Sequence, residues 1–328
     1  MTMEIQQLAI AVITCNRLPS LERLLRHLQV IETPSIPHLE ITVVVVENGE
    51  PAGAERLVRR FDSPERRFIY DHEPRPGISY ARNRAMKLAV ELGDYFAFID
   101  DDEWPAGDWL DALLRTAGER HAPVVCGNVE SVLQEGAPAW VIEGGFFRHR
   151  NNLPSGSVVK NVSTANVLIK SSLILDTKLE FDPAFAITGG SDTLFFRQLS
   201  RETGIDVIYC AEALVFEEVP PDRMQLRWFM RRSLRAGANM WRTEAALGAP
   251  AIYRLRWMAK GVGHIFIGLL KWTSGLIRGR VARVRGLRQA AKGTGMLIGA
   301  CGSRVNEYHE RHQVEIPANV LPQTAKAR

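Results

Sequence analysis

The stretch FIDDDEWP, residues 98–105, decides the fold of this chain. Its first residues complete an apolar run over 95–99, which is typical of a buried strand, and Asp100, Asp101 and Asp102 follow directly. Because ligands bind at the carboxyl ends of strands in an α/β sheet, these carboxylates are expected to lie in a binding site. A few hard oxygen ligands suit Mg²⁺ or Mn²⁺ shared with a diphosphate. For the tripeptide taken alone, an acidic turn in water is the alternative.

Strands and helices alternate along the chain before this stretch. The apolar runs that are typical of strands are 8–14, 39–46, 67–71 and 95–99. Pro19 stands at the favoured first position of a helix to about residue 31, and Ser79 is placed to cap a helix over 79–92. This alternation predicts an α/β fold with a mostly parallel sheet flanked by helices.

Polar residues also end the first two strands. Thr14 and Asn16 follow the first strand without the GxGxxG pattern of a dinucleotide-binding turn, which argues against a dehydrogenase. Glu47 and Asn48 end the second strand, where a carboxylate and an amide can hydrogen-bond a nucleobase or a ribose. An ordinary turn is the alternative for this dipeptide.

Two helix starts carry further candidate groups. Arg82 lies near the beginning of the helix over 79–92, where the helix dipole and the guanidinium both favour a phosphate. Asp192 follows two glycines just before the helical run 193–200, and a carboxylate there can deprotonate an acceptor hydroxyl. Capping of the helix is the alternative role for Asp192.

The charge of the chain is unevenly distributed. Its 328 residues carry a formal net charge of +4, and their 46% hydrophobic and 24% charged content excludes collagen, disulfide scaffolds and wholesale disorder. Between Glu244 and Glu307 there is no Asp or Glu, but there are eleven Lys or Arg, so the remainder carries −7 (+4 less +11). An acidic body joined to a basic tail predicts an anionic partner.

A helix in the tail would collect these cations into a stripe. At about 100° per residue, the basic residues of 256–278 fall within an arc of roughly 80°. They are Arg256, Lys260, His264, Lys271 and Arg278. A cationic stripe on a wide apolar helix is typical of the bilayer interface, so we expect 250–292 to contact an anionic membrane surface. Packing on the protein body, with the stripe in water, is the alternative, and no recognised motif supports a nucleic-acid partner.

The motifs occur in an order that resembles a known family. They are AVITCNRLPSLERLL (11–25), VVVVENG (43–49), PGISYARNRAM (76–86), FIDDDEWP (98–105), GGSDTLFFRQL (189–199) and VPPDRMQLRWFMRRSLRAG (219–237). Over roughly residues 8–240, their order and spacing resemble the family 2 inverting glycosyltransferases of the GT-A fold, especially bacterial exopolysaccharide enzymes of the succinoglycan type. Each motif is weak alone, but six in order are specific.

The resemblance implies roles for individual residues. The set implied for nucleotide-sugar binding is Thr14, Asn16, Glu47, Arg82, Asp100 and Asp101. Asp102 is implied to bind a divalent metal, Mn²⁺ or Mg²⁺, and Asp192 to act as the catalytic base. The family usually has an acid before the base, where this chain has Ser191. Trp140, in the irregular segment 134–160, is a candidate for stacking on an acceptor sugar, with a surface or core role as the alternative.

The expected activity is metal-dependent transfer of a sugar, with inversion, from a nucleotide-sugar donor to a saccharide or polyprenyl-linked saccharide. A UDP-sugar is the expected donor. One alternative is a sugar nucleotidyltransferase, although the Gly-rich basic signature of that class is missing after the first strand. The other is a catalytically silent nucleotide-sugar binding or scaffold protein, which the departure at Ser191 favours.

We expect a transferase domain over 1–245 and a basic helical extension over 246–328. Within the first, 1–105 would bind the nucleotide-sugar and 106–220 would form the acceptor half. Four scattered cysteines suggest free thiols in a reducing compartment, and the N-terminal apolar run lacks the basic start of a signal peptide. The expected location is therefore the cytoplasm, with peripheral association to the inner face of the plasma membrane.

Overall fold

A computed structural model describes residues 5–148, 153–186 and 188–303. Residues 149–152 of the irregular segment lie outside the described residues. So do Arg304, one of the eleven basic residues of the tail, and the end of the expected extension over 304–328.

One central sheet and ten α-helices make up the described part of the chain. The strands are β1 (Gln7–Thr14), β2 (Glu40–Asn48), β3 (Arg67–Glu73), β4 (Tyr95–Asp100), β5 (Glu103–Pro105), β6 (Val124–Leu133), β7 (Val158–Val159), β8 (Asn166–Lys170) and β9 (Val207–Val219). The helices are α1 (Leu18–Gln29), α2 (Ala54–Arg59), α3 (Ile78–Leu92), α4 (Trp109–Glu119), α5 (Ala139–Gly144), α6 (Ser171–Thr177), α7 (Ser191–Thr203), α8 (Leu226–Ala246), α9 (Tyr253–Arg278) and α10 (Arg280–Ala300).

The strand order is β3-β2-β1-β4-β8-β6-β9-β5, with β7 paired to β9. The pairs among β3, β2, β1 and β4 are parallel, whereas β8 runs antiparallel to both β4 and β6. The expected α/β sheet flanked by helices is therefore confirmed; the first four strands form one parallel block, and β6 and β9 form a second parallel pair. Register places Thr14 beside Glu47, and Ile13 beside Asp100, so these strand ends share one edge of the sheet.

Both faces of the sheet are covered by helices whose apolar residues recur at helical spacing. In α1, Leu21, Leu24, Leu25 and Leu28 form one fully buried face, which packs with one side of the sheet. In α3, buried alanines let the helix approach the other side closely. Burial of each leucine contributes about 1.5–3 kcal/mol, so these faces hold the strand ends in place.

The start of α3 differs from the sequence prediction. Its N-cap is Gly77 with φ of +133°, a backbone conformation that side chains rarely adopt, and not Ser79. Ser79 is fully buried within the first turn, and its hydroxyl donates to the carbonyl of Asp182 at 3.0 Å.

An aromatic cluster joins the helical C-terminal part to the segment after β6. Trp140 of α5, Phe146 and Phe229 of α8 have ring centroids 5.3–5.6 Å apart. Val284 of α10 is buried in the same cluster. This contact anchors α8 and α10 beside the sheet.

Helices α9 and α10 form a tight antiparallel hairpin because glycines face each other across it. Gly261, Gly268 and Gly275 are spaced seven residues apart on α9, and all three are buried. A Cβ added at Gly268 would lie 2.5 Å from the Ala290 nitrogen. Gly279 turns the chain between the helices with φ of +92°. No described helix has the length and apolar character needed to cross a bilayer.

Gly268→Ala is expected to destabilise the protein by about 1–3 kcal/mol, because the new methyl group forces the two helices apart. Gly263→Ala, on the same helix, is the matched control, since nothing lies within 4 Å of its added Cβ. Alanine there should stabilise α9 by about 0.5–1 kcal/mol. Urea denaturation of both variants measures the difference, and equal stability would contradict close approach of the helices.

Candidate active site

A cavity of about 1110 Å³ lies at the carboxyl ends of β1 and β4. It brings together six residues that the sequence analysis selected. They are Thr14, Asn16, Asp100, Asp101, Asp102 and Asp192. Glu47, Arg82 and Trp140 do not line it. The far side of the cavity is supplied by Trp228 and Arg232 of α8, together with Arg223 just before that helix.

Asp101 is a buried structural anchor at the base of the acidic stretch. Its Oδ2 accepts a hydrogen bond from the Thr14 hydroxyl at 2.8 Å, and its Oδ1 accepts one from Arg17 Nη1 at 2.8 Å. Because Thr14 ends β1 and Arg17 directly precedes α1, these bonds tie the turn after β1 to the end of β4. Asp101 has both carboxylate oxygens occupied by protein donors.

The carboxylate of Asp102 faces two arginines. Its Oδ2 lies 2.9 Å from Arg17 Nη1 and 3.4 Å from Arg223 Nη2. Arg223 also pairs with Glu217 of β9, whose strand neighbour is Glu103. Cations therefore alternate with carboxylates across the floor of the cavity.

Burial and neighbouring charge disfavour ionisation of Asp100. The pKa of Asp100 is raised to about 7: desolvation by burial is the largest cause, the charge of Arg82 opposes it, and the negative charges of Asp102, Asp101 and Glu217 add to it. Desolvation, followed by the charges of Asp100 and Asp102, also raises the pKa of buried Glu103 well above its ordinary value. These carboxylates share a site that added positive charge would stabilise.

The donor atoms of this site fit a hard divalent cation. Asp100 and Asp102 both line the cavity and offer only oxygen. Within the described residues no group of three or more His, Cys, Asp or Glu is arranged to hold a metal. Mg²⁺ in sites that also hold substrate phosphates is commonly bound through one or two carboxylates, so the two aspartates suffice as protein ligands.

Glu47 is buried behind the cavity wall. Its Oε1 accepts from the Ala52 amide at 2.7 Å and its Oε2 accepts from the Tyr70 hydroxyl at 2.8 Å. The neighbouring Asn48 lines the cavity instead, and its Oδ1 accepts from the Gly77 amide at 2.9 Å. Glu47 thus shapes the loop after β2, while Asn48 fixes the turn that begins α3.

Arg82 is also buried, and it links the acidic stretch to the second half of the site. Its Nη1 donates to the hydroxyl of Ser191 at 2.9 Å, and its charge lowers the pKa of Asp100. Ser191 is fully buried at the first position of α7. A hydroxyl at this position accepts the guanidinium hydrogen bond without neutralising its charge, which leaves Arg82 to offset Asp100.

Asp192 lies in the first turn of α7 and lines the cavity. Its Oδ1 accepts from the amide of Thr193 at 2.8 Å, so one oxygen orients the side chain. The preceding Gly189 and Gly190 have φ of +73° and +92°, which bends the chain sharply into the helix.

Two residues of α8 hold this bend and were missed by sequence reasoning. The Asn239 amide nitrogen donates to the carbonyls of Thr188 and Gly189 at 3.0 and 2.9 Å. Arg242 donates to the Thr188 hydroxyl at 2.6 Å and to the carbonyl of Ala184 at 2.9 Å. These contacts span about fifty residues of sequence, and no local pattern signals them.

The structure gives Trp140 a different role from the expected one. Its side chain is 6% exposed, packed in the aromatic cluster, and the Arg280 guanidinium lies 5.1 Å from its ring centroid. The ring is covered by protein and does not line the cavity, which fits the alternative of a core role. Stacking of Trp140 on an acceptor sugar stays a prediction.

Arg17 and Arg223 were missed although their motifs were recognised. Both lie inside quoted stretches, at ITCNR and VPPDR, and both contact Asp102. Arg17 could have been predicted, because it follows the end of β1 by three residues and β1 lies beside β4, whose end carries the acidic stretch. Arg223 carries no such local signal, because the sequence does not show that β5 and β9 pair.

Comparison with known proteins identifies the relatives of the chain. The family model of glycosyl transferase family 2 matches residues 9–174. The succinoglycan biosynthesis protein ExoM of Rhizobium meliloti is 33% identical over 225 residues, which cover 67% of this chain and 70% of that relative. The region matched by the family model contains the turn after β1 and the acidic stretch 100–102, which line the cavity.

Solved structures share the fold at low identity. The mannosyltransferase PcManGT of Pyrobaculum calidifontis, solved with GDP-Man and Mn²⁺, has a TM-score of 0.60 and 19% identity, over 91% of this chain and 88% of its own. TarS of S. aureus, solved with UDP-GlcNAc, has a TM-score of 0.53 and 15% identity, over 91% and 92%. At these identities the two similarities show only that the GT-A fold is shared.

Proposed function

The chain belongs to glycosyl transferase family 2 and is a glycosyltransferase, and from this premise we propose that it transfers a sugar from a nucleotide-sugar to a saccharide hydroxyl with inversion. The observation that carries the proposal is that Asp192 and Asp102 line one cavity. A carboxylate suited to proton abstraction thus shares a space with carboxylates suited to a cation. The proposed transfer uses both functions around one sugar, proton abstraction on one side and charge stabilisation on the other.

The donor side of the proposed site is the turn after β1 together with the end of β4. Thr14, Asn16, Asp100 and Asp101 line the cavity there, with Glu47 and Arg82 behind them as second-layer supports. We retain a UDP-sugar as the donor. Asn48 joins this set, because its side chain lines the same wall.

In this proposal Asp102, assisted by Asp100, would hold a divalent cation, Mn²⁺ or Mg²⁺. Such a cation would stabilise the negative charge that develops on the leaving diphosphate. The fit rests on the oxygen donors, and the pKa of Asp100, raised first by burial and also by the neighbouring carboxylates, means that a bound cation would favour its ionised form. Arg17 and Arg223, which pair with Asp102, also line the cavity and place positive charge where the leaving diphosphate would lie.

Asp192 performs the proton transfer. Its second carboxylate oxygen, Oδ2, accepts the proton of the acceptor hydroxyl as the hydroxyl oxygen attacks the anomeric carbon. The bond from this carbon to the diphosphate breaks on the opposite face, so the product has inverted anomeric configuration. The Thr193 amide holds the other oxygen and prevents the carboxylate from rotating away.

The proposed acceptor is a saccharide, free or carried on a polyprenyl lipid, in the assembly of a bacterial surface polysaccharide. The name of the relative ExoM motivates this choice. We retain residues 1–245 as the transferase domain and 246–328 as an extension. The extension would bring the enzyme to the inner face of the plasma membrane.

A panel of nucleotide-sugars tests the proposed function. Nucleotide release that requires both a donor and a bacterial membrane extract, with labelled sugar recovered in lipid, is the expected result. A sugar nucleotidyltransferase would instead release diphosphate from a nucleoside triphosphate and a sugar phosphate. A silent binding protein would bind a donor without any release, and either outcome would refute the transferase.

Asn239→Ala is expected to lower kcat roughly tenfold with an unchanged KM for the donor, because the two carbonyls before Asp192 lose their hydrogen bonds. Asn239 is a positioning residue, so the base shifts while the donor wall is untouched. Exposed Arg227→Gln on the same helix is the matched control and should keep both constants. An increase in the donor KM without a change in kcat would contradict this role.

A further inference from the structure

Three arginines lie together where α8 and α10 meet beside the active-site cavity. They are Arg232 of α8 and Arg285 and Arg288 of α10, and we call them the arginine cluster. Arg232 lines the cavity. Burial lowers the pKa of Arg288, and the charges of Arg232 and Arg285 lower it further, so all three guanidinium groups are close to one another. The cluster therefore extends from the cavity wall to the helix behind that wall.

Aromatic rings support two of these guanidinium groups. The Cζ atom of Arg232 lies 5.1 Å from the ring centroid of Trp228, which also lines the cavity. The Cζ atom of Arg288 lies 5.1 Å from the ring centroid of Phe146 and 5.2 Å from that of Phe229. Packing on an aromatic face stabilises a guanidinium and leaves its N–H groups able to donate in their own plane. The rings thus fix two cations in positions from which they can bind an anion.

Arg285 is positioned by the backbone of a neighbouring segment. Its Nη2 donates to the carbonyl of Gly144, the last residue of α5, at 3.2 Å. Arg285 and Arg288 are three residues apart on α10, so their side chains lie on the same side of the helix. The buried Val284 packs in the aromatic cluster beside them. One side of α10 therefore contacts the aromatic cluster and carries two cations next to it.

The helices that carry these cations hold almost no acidic residues. No Asp or Glu occurs in α9 or α10, and the single acid of α8, Glu244, pairs with Arg197 at 2.8 Å. Both charges that shift the pKa of Arg288 are positive. The arginines at the cavity floor, by contrast, face the carboxylate of Asp102. Like charges held close together favour the binding of an anion between them.

We propose that the arginine cluster binds the phosphate that joins the acceptor saccharide to its lipid carrier. The proposal rests on the proposed function, which places the reacting acceptor hydroxyl at Asp192, in the cavity that Arg232 lines. Guanidinium groups match phosphate oxygens with paired hydrogen bonds, and three of them suit a dianionic phosphate or a diphosphate. The carboxylate of an acidic sugar carries a single charge, so it suits the cluster less well.

The donor diphosphate has arginines of its own in the proposed site. Arg17 and Arg223 line the cavity and pair with Asp102, the proposed metal ligand. No carboxylate of the acidic stretch is among the charges that act on the pKa of Arg288. The two sets of arginines therefore have different electrostatic surroundings, one next to carboxylates that suit a cation and one that suits an anion alone.

Binding of farnesyl diphosphate, a short polyprenyl diphosphate, to the full chain tests the proposal. Calorimetric titration in EDTA, which keeps metal away from the donor side, should detect binding to the wild type. Arg288→Gln and Arg232→Gln should each weaken it about tenfold, because each removes a charge-assisted hydrogen bond to phosphate. Arg232 is exposed, so its replacement tests the cluster without disturbing the fold.

Arg283→Gln is the matched control for both variants. Arg283 is an exposed arginine of α10, and at about 100° per residue it lies on the opposite side of the helix from Arg285. Its replacement removes the same charge and should leave the affinity for farnesyl diphosphate unchanged. Wild-type affinity in both Arg288→Gln and Arg232→Gln would overturn the proposal.

UDP distinguishes the acceptor phosphate from the donor diphosphate. With Mn²⁺ present, UDP should bind the wild type, Arg288→Gln and Arg232→Gln with equal affinity. An equal loss of affinity for UDP and for farnesyl diphosphate would assign the cluster to the donor and overturn the proposal.

Three further probes separate other anions. Inorganic pyrophosphate should compete with farnesyl diphosphate, and glucuronate should not; competition by glucuronate alone would assign the cluster to an acidic sugar. Flotation on phosphatidylglycerol vesicles should be the same for Arg288→Gln and the wild type. Reduced flotation with unchanged affinity for farnesyl diphosphate would assign the cluster to bulk lipid headgroups. Because none of these measurements uses sugar transfer, a failure of the phosphate site is separate from a failure of the transferase activity.

Discussion

Asp192→Asn is expected to lower the rate of sugar transfer by about 10²- to 10⁴-fold and to leave the donor Kd unchanged. The amide lacks the basic oxygen that accepts the acceptor proton, so the attacking hydroxyl stays neutral. Its oxygen can still accept from the Thr193 amide, as Asp192 does at 2.8 Å, so the start of α7 keeps its geometry. Single-turnover transfer and calorimetric titration with the donor measure the two quantities.

Glu202→Gln is the control for this substitution. Glu202 lies on the same helix, is exposed and does not line the cavity, so the variant removes the same charge from α7 without touching the site. Its activity should equal that of the wild type. Transfer by Asp192→Asn at an undiminished rate would show that another group accepts the proton.

The sequence predicts the parallel half of the sheet well because each strand there is specified locally. Runs such as 8–14 and 39–46 are apolar at every position or nearly so, and each is followed by a polar strand end. The cavity assembles at those ends because parallel strands place them at one edge. Thr14 and Asp100 are therefore predictable as neighbours from two separate local patterns.

The second half of the site depends on contacts that the sequence does not display. Asn239 reaches the bend before Asp192 across about fifty residues, and Arg223 reaches Asp102 across more than a hundred. Such contacts follow from how α8 packs on the body, and helical periodicity does not determine that docking. Trp140 illustrates the same gap, since an aromatic residue in an irregular segment suits a core and a binding site equally.

Ser191 stands where the family usually has an acid, and its hydrogen bond with Arg82 explains what the serine does there. An acid at this position would form an ion pair with Arg82, whereas the serine hydroxyl accepts only a hydrogen bond. The charge of Arg82 then acts on Asp100, whose ionisation burial opposes. The serine thus leaves the charge of Arg82 available to the acidic stretch, and the proposed base Asp192 is the next residue along the chain.

Asp102→Asn is expected to reduce transfer roughly a thousandfold and to remove the dependence of donor binding on Mn²⁺ or Mg²⁺. The substitution keeps the shape of the side chain and one oxygen, but it removes the negative charge that would attract the cation. The donor Kd is measured with and without EDTA. A variant that has lost only the cation still binds the donor, whereas an unfolded variant does not bind it.

The arginines around Asp102 make this prediction specific to metal binding. Asparagine also removes the carboxylate of Asp102, 2.9 Å from Arg17 Nη1, so that Asp101 alone holds this guanidinium and its charge is more available to the donor diphosphate. Donor binding by Asp102→Asn should therefore persist, weakened and indifferent to EDTA. Asp108→Asn, an exposed site just beyond β5, is the charge-matched control and should keep full metal dependence. Unchanged metal dependence in Asp102→Asn would assign the cation to Asp100 alone. Asp100 is the other member of the proposed ligand pair, and it also lines the cavity.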